Sequence, residues 1–99
     1  MSLPYVLTED AEADLAQACA WYEGQRAGLG TRFDGAVRAT LELLAQAPEA
    51  HPPIWGDVRR VRVQGFKCYV IHYVIESGCI GVISVFHTRR DPNIWRSRI

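Results

Sequence analysis

Between residues 9 and 46 the apolar side chains recur every three or four positions, and from residue 58 onward they alternate; the change falls in the stretch His51-Pro52-Pro53-Ile54-Trp55-Gly56. A helical stripe and a two-residue alternation each leave one apolar face that needs a cover. A chain that carries the first and then the second packs helices against a sheet, which excludes an all-helical bundle and a pure β-sandwich.

Residues 3–7 read as a first strand, held to the start or the edge of a sheet by Pro4. Thr8 offers an N-cap hydroxyl, and Glu9, Asp10 and Glu12 fill the following turn, where carboxylates complement exposed N–H groups. Ala11, Leu15, Ala18, Cys19 and Tyr22 predict a helix to about Gln25; Leu29, Phe33, Ala36, Val37, Leu41 and Leu44 predict a second that Pro48 ends. Gly24, Gly28 and Gly30 mark the turn of an antiparallel helical hairpin, with Trp21 and Tyr22 counted in its packing. The proline stretch reads as a loop. In residues 58–63, Arg59, Val61 and Val63 share one face and Val58, Arg60 and Arg62 the other. Residues 66–75 are apolar on both faces and therefore central, and tight connections at Gln64-Gly65 and at residues 76–78 lead to a last strand at 80–86. The fold class expected is α+β, in the order β-α-α-β-β-β: a four-stranded, mainly antiparallel sheet with a helical hairpin on one face, forming one domain over residues 1–99. The other sheet face is left for something else, and the tail from His87, with Trp95-Arg96-Ser97-Arg98 near its end, is read as exposed.

The formal net charge is zero, yet it is divided along the chain. Residues 1–50 hold eight acids and three arginines, a net −5; residues 51–99 hold seven arginines, one lysine and three acids, a net +5. No apolar run reaches the roughly 18–20 residues of a membrane span, and the N-terminus has no basic-then-apolar signal, so no membrane role and a cytoplasmic location are expected. Three cysteines, Cys19, Cys68 and Cys79, with no C-x-x-C pair, predict reduced thiols. Metal, nucleotide and serine-hydrolase fingerprints are absent from the sequence, so no metal site or cofactor is expected.

Arg60 and Arg62, two residues apart on one strand face, with Lys67 or a last-strand residue beside them, suit phosphates or a partner's carboxylates, which guanidinium groups hold through forked hydrogen bonds. The alternative is a solvated face with edge-protecting charges; the lack of interspersed acids favours binding. His87, ahead of Arg89-Arg90-Asp91-Pro92, is either a general acid or a strand stop hydrogen-bonded to backbone, and with no second base beside it the structural role is the stronger. His72, mid-strand among apolar residues, reads as a satisfied core histidine, and His51 has no identifiable partner. Trp55 and Trp95 are candidate interface anchors or fold back on the core.

Together these residues resemble the ParE/RelE superfamily of toxins from bacterial type II toxin–antitoxin modules, and are most similar to its ParE, or plasmid-stabilisation, branch. The resemblance spans residues 4–95. It rests on Tyr5-Val6-Leu7-Thr8 with Ala11, Asp14 and Leu15; Trp21-Tyr22 before Gly28-Leu29-Gly30 and Phe33; Pro48; Val58-Arg59-Arg60; Phe66 with Tyr69-Val70-Ile71 and Tyr73; and His87 with Arg89-Arg90-Asp91-Pro92 and Trp95. It implies a toxin neutralised by a cognate antitoxin, ParD-like and of the ribbon-helix-helix type, that touches DNA only through that complex. RelE-like relatives cut messenger RNA on the ribosome, whereas ParE-like ones poison DNA gyrase. The lysine-rich cluster and late tyrosine of a RelE-like nuclease are missing, so gyrase inhibition by binding, without catalysis, is the first expectation. An endoribonuclease built on His87, Arg62, Arg60 and Lys67 is the alternative. The residues expected to contact antitoxin or target are Arg59, Arg60, Arg62, Lys67, Arg89, Arg90 and Trp95.

Overall fold

The computed structural model describes residues 2–99. The chain runs β1 (Tyr5–Leu7), α1 (Glu9–Gln25), α2 (Leu29–Gln46), a 3-10 turn (Pro48–Ala50), β2 (Pro53–Trp55), β3 (Val58–Arg62), β4 (Tyr69–Glu76), β5 (Cys79–His87) and α3 (Asn93–Arg96). Both helix starts are capped from the side chains. Thr8 Oγ1 accepts from Ala11 N–H (3.2 Å), and Glu23, near the end of α1, accepts from Gly28 N–H (2.9 Å) and Gly30 N–H (3.0 Å) at the start of α2. At Gly30 the helices approach so closely that a Cβ would collide with the Cys19 carbonyl.

The sheet has five strands in the order β1-β5-β4-β3-β2, mixed because β1 runs parallel to β5 while all other pairs are antiparallel. This corrects the four-stranded expectation: the stretch read as a loop contains β2, whose Pro53 and Trp55 pair with Arg59 and Val58 across a register shift. All three β2 residues are exposed, so this edge strand has no buried alternate position to produce a period of two. The long strand also begins later than its apolar run, at Tyr69. Residues 63–69 fold as successive turns, with Phe66 N–H donating to Val63 C=O (3.2 Å) and Tyr69 N–H to Phe66 C=O (3.0 Å). Phe66 earns its apolar character there by packing its ring on Tyr22 and Phe33, 5.1 and 5.0 Å away.

The main core lies between the hairpin and one sheet face, with Ala11, Leu15, Phe33, Val37 and Leu41 against Ile71, Tyr73, Ile80, Val82 and Val85. The opposite face carries a second cluster, Val58, Val70, Ile83, Phe86 and Trp95. The tail is therefore not exposed as expected: α3 folds back over the sheet and Trp95 is 3% exposed. Three residues later Arg98 reaches through to α1, donating to Asp14 Oδ2 (2.6 Å) and Oδ1 (3.0 Å) and to the Ile83 carbonyl (3.0 Å). Asp14 Oδ2 also accepts from Val85 N–H (3.1 Å). In this stretch β5 carries a bulge, since Ser84 faces His72 and Val82 faces Tyr73, leaving Ile83 as the extra residue.

Removing one member of such a buried pair strands the other's charge. Asp14→Ala is expected to lower unfolding free energy by about 3 kcal/mol or more, because Arg98 and Val85 N–H both lose their acceptor. Arg98→Met should act in the same direction, and the double variant should cost less than the two single effects added. Urea denaturation checks this; single variants within about 0.5 kcal/mol of the parent would contradict it.

Candidate functional site

β3 divides its arginines between the two faces of the sheet. Arg60 lies opposite His72 and Arg62 opposite Val70, on the face covered by α3. Arg62 Nη1 donates to the Lys67 carbonyl (3.1 Å), which brings the 63–69 turn, with the exposed Lys67, beside that row. Arg59 points to the hairpin side, opposite Tyr73, and its Nη1 donates to the carbonyls of His51 (2.6 Å) and Glu49 (3.3 Å). It clamps the 3-10 turn and stands apart from the other cations.

At the centre of the α3-covered face His72 stacks on Trp95, with centroids 4.0 Å apart and planes 18° from parallel, while its Nδ1 lies 2.6 Å from Ser84 Oγ. Burial, and then the charges of Arg60, Arg98 and Arg96, push the His72 pKa down to about 4, so the ring is neutral at pH 7. Trp55 of β2 meets Trp95 edge-on at 5.6 Å, and the Arg96 guanidinium lies 5.3 and 5.5 Å from the Trp55 and Trp95 ring centres. Trp95 is thus the keystone of a stack and not a free anchor. Among the described residues, no carboxylate lies within 4 Å of Arg60, Arg62, Lys67, Arg89, Arg90 or Arg96.

The residues after β5 form a second basic region, on the hairpin side. His87 faces Tyr69, ring centroids 5.1 Å apart, and its Nδ1 accepts from Arg89 N–H (3.1 Å), which folds the chain out of the strand. Arg90 N–H donates to the His87 carbonyl (3.1 Å), and its guanidinium lies 5.3 Å from the Phe86 ring centre. A groove of about 460 Å³ opens here, lined by Trp21, Tyr22, Cys68, Tyr69, His87 and Arg90. A second of about 170 Å³ adjoins it, reaching Asp14, Gln17, Ala18 and Val85. Trp21, counted with Tyr22 in the hairpin packing, is 58% exposed at this rim, while Tyr22 beside it is held in the ring cluster with Phe33 and Phe66.

The predicted contact residues thus fall into groups. Arg60, Arg62 and Lys67 come together, as do Arg89 and Arg90; Arg59 and Trp95 are engaged internally. His87 and Arg62 do not meet, because neighbouring positions of β4 and β5 alternate faces: Val70 and Phe86 belong to the α3 side and Tyr69 and His87 to the hairpin side. Tyr69, Trp21 and Arg96 were missed as surface-forming residues; the uncovered second face hinted at Arg96 alone, since Trp21 and Tyr69 lie on the hairpin side. Among the described residues, no helix is long and apolar enough to cross a membrane. Among the described residues, no group of three or more His, Cys, Asp or Glu could hold a metal ion.

Residues 5–92 match the family model described as the ParE toxin of the type II toxin-antitoxin system parDE. Twelve chains of solved structures also match. One of them, described as the chromosomal ParDE TA system from P. aeruginosa, superposes with a TM-score of 0.78 over 89% of this chain and 98% of that one, at 13% identity. At that identity the likeness speaks for the fold. No curated protein matches the sequence.

The His72 stack makes stability depend on pH. The folded ring titrates near 4 and an unfolded one near 6.5, so between those values the unfolded chain binds more protons. The stabilisation is complete above pH 6.5 and is lost as pH falls toward 4, by up to the order of 3 kcal/mol. The urea midpoint should therefore fall more steeply across that window in the parent than in His72→Gln; parallel curves would contradict it.

Proposed function

The chain belongs to the ParE toxin family of type II toxin–antitoxin systems, and we propose that it arrests growth by binding DNA gyrase in the cytoplasm and is held inactive by a cognate antitoxin of the ParD, ribbon-helix-helix kind. The observation that carries this reading is the set of cations without acids. Arg60, Arg62 and Lys67 at one rim of the sheet, and Arg89 and Arg90 after β5, have no carboxylate partner within 4 Å among the described residues. Protein segments rich in Asp and Glu complement such a rim and are steered to it at long range. Arg59 and Trp95 support the contact surface from within. DNA is reached only through the antitoxin in this reading.

Binding without hydrolysis is supported by the separation of the candidate nuclease residues. A ribonuclease needs a base, an acid and phosphate-stabilising cations around one phosphate, whereas His87 faces the hairpin groove and Arg60 and Arg62 the other side of the sheet. One observation favours the second reading, RNA cleavage: His87, Arg90 and Tyr69 share a groove large enough for a nucleotide.

Purified toxin is expected to block gyrase supercoiling or trap cleaved DNA at modest excess, and to leave messages intact on induction. Unimpaired gyrase together with truncated messages, abolished by His87→Ala, would replace the first reading by the second. Arg60→Glu with Arg62→Glu should weaken antitoxin binding at least tenfold, about 1.4 kcal/mol, with more loss at low salt. Unchanged affinity, measured by calorimetry, would remove those arginines from the interface.

A further inference from the structure

β5 is paired along its length on the β4 side but only at its beginning on the other. β1 covers residues 80–82 in parallel register and leaves at Thr8, whose N–H donates to the Val82 carbonyl (3.0 Å). Beyond that point the lane beside β5 is held by side chains, Arg98 on the Ile83 carbonyl and Asp14 on Val85 N–H. The register identifies what remains. Thr88 N–H donates to the Cys68 carbonyl (2.8 Å), so the pairs Val70/Phe86 and His72/Ser84 are the hydrogen-bonded ones. Val85 and His87, between them, aim their main-chain groups away from β4. Val85 N–H goes to Asp14 and the His87 carbonyl to Arg90 N–H. The Val85 carbonyl and His87 N–H are left, flanking Phe86, with no partner among the described residues.

These two groups stand as the Ile80 carbonyl and Val82 N–H do around Gly81, which faces Val6 of β1. They border the smaller groove, where α1 stands back from β5 and Trp21, Tyr69 and Arg90 complete the walls. The carboxylate in that groove, Asp14, is already neutralised by Arg98, while Arg90 has no carboxylate within 4 Å among the described residues.

We propose that this lane is a strand-addition site for an extended, acidic segment of a protein partner. One residue of a segment running parallel to β5 donates its N–H to the Val85 carbonyl and accepts from His87 N–H. Facing Phe86, that residue carries its side chain toward the Arg90 guanidinium, which suits Asp or Glu; its two neighbours aim into the groove beside Trp21 and Tyr69, which suits Leu or Phe. The site rests on the reading that a protein partner neutralises this chain, and adds where and in what conformation its segment lies.

The test is a titration of the ¹⁵N-labelled full chain with the peptide acetyl-Leu-Asp-Leu-Asp-Leu-amide, followed by amide exchange. The His87 amide should exchange at least about tenfold more slowly at saturation. His87→Pro, which removes the N–H from an edge position where proline is tolerated, should bind at least about tenfold more weakly than His87→Ala, which loses the same ring and keeps the N–H, and Arg90→Glu should bind at least about tenfold more weakly than the parent. An unprotected His87 amide, read in the unmodified chain, overturns the proposal, as does equal binding by His87→Pro and His87→Ala. Displacement of the peptide by single-stranded oligouridine assigns the groove to nucleic acid instead. If the cognate antitoxin binds but leaves the His87 amide unprotected, strand addition fails and neutralisation stands. If that antitoxin does not bind, neutralisation fails and the peptide titration still decides the lane.

Discussion

The carboxylate of Asp14 joins three parts of the chain at one point. It projects from the second turn of α1, accepts a main-chain N–H from Val85 on β5, and receives both terminal nitrogens of Arg98 from the end of the tail. A buried ion pair is weak grounds for stability by itself, since desolvation offsets much of the attraction. Here it does geometric service. Arg98 also donates to the Ile83 carbonyl, so the pair supplies a donor and an acceptor to the β5 bulge where β1 has already departed. With Arg98 fixed, α3 lies across the sheet and Trp95 comes down on His72.

That placement explains why the sheet's second face is apolar at its centre and cationic at its rim. Trp95 shields His72, and the imidazole stays neutral because burial and three arginines oppose its protonation. A charged ring would add a further cation near these three, and this one would be buried. The rim arginines stay in water, unpaired, at low energetic cost, because solvated guanidinium groups need no partner. The vanishing net charge is then a sum over two regions of opposite sign: the acids lie mostly on the exposed surfaces of α1 and α2, and the free cations on β3, the 63–69 turn and the segment after β5. Such an arrangement keeps the chain near neutrality while still presenting a strong local field to an acidic partner.

The hairpin was legible because two regular stripes, a threonine cap and interhelical glycines are local signals, and it sits within a residue or two of where they place it. β3 was legible from alternation and β5 from an apolar run after a tight connection. What escaped depends on contacts remote in sequence. Asp14 and Arg98 lie 84 positions apart, and neither has a local pattern that points to the other. Trp95 looked like exposed tail because burial by a four-residue helix leaves no periodicity. Trp21 looked buried because it lies next to Tyr22, yet adjacent helical residues point about 100° apart, and only Tyr22 faces the ring cluster. Of the candidate site, the arginine row was readable from spacing; the separation of His87 from Arg62 needed the register of three strands.

The tail also decides how a partner can approach. Had the second sheet face been bare, a flat acidic surface could have covered it whole. With α3, Trp55 and Arg96 occupying the middle, the unpaired cations form two stations, one along β3 and the neighbouring turn and one after β5. They lie toward different sides of the sheet, with Arg90 at the seam, over Phe86 on one side and lining the groove of Trp21 and Tyr69 on the other. A rigid globular partner can satisfy one station at a time. A flexible segment that crosses the sheet edge can reach both, and ordering it costs conformational entropy that the hydrogen bonds and charge pairs at each station must exceed. The placement of the cations therefore suits the extended segment proposed above, which would run where β1 has left the β5 edge and Asp14 and Arg98 hold only part of it.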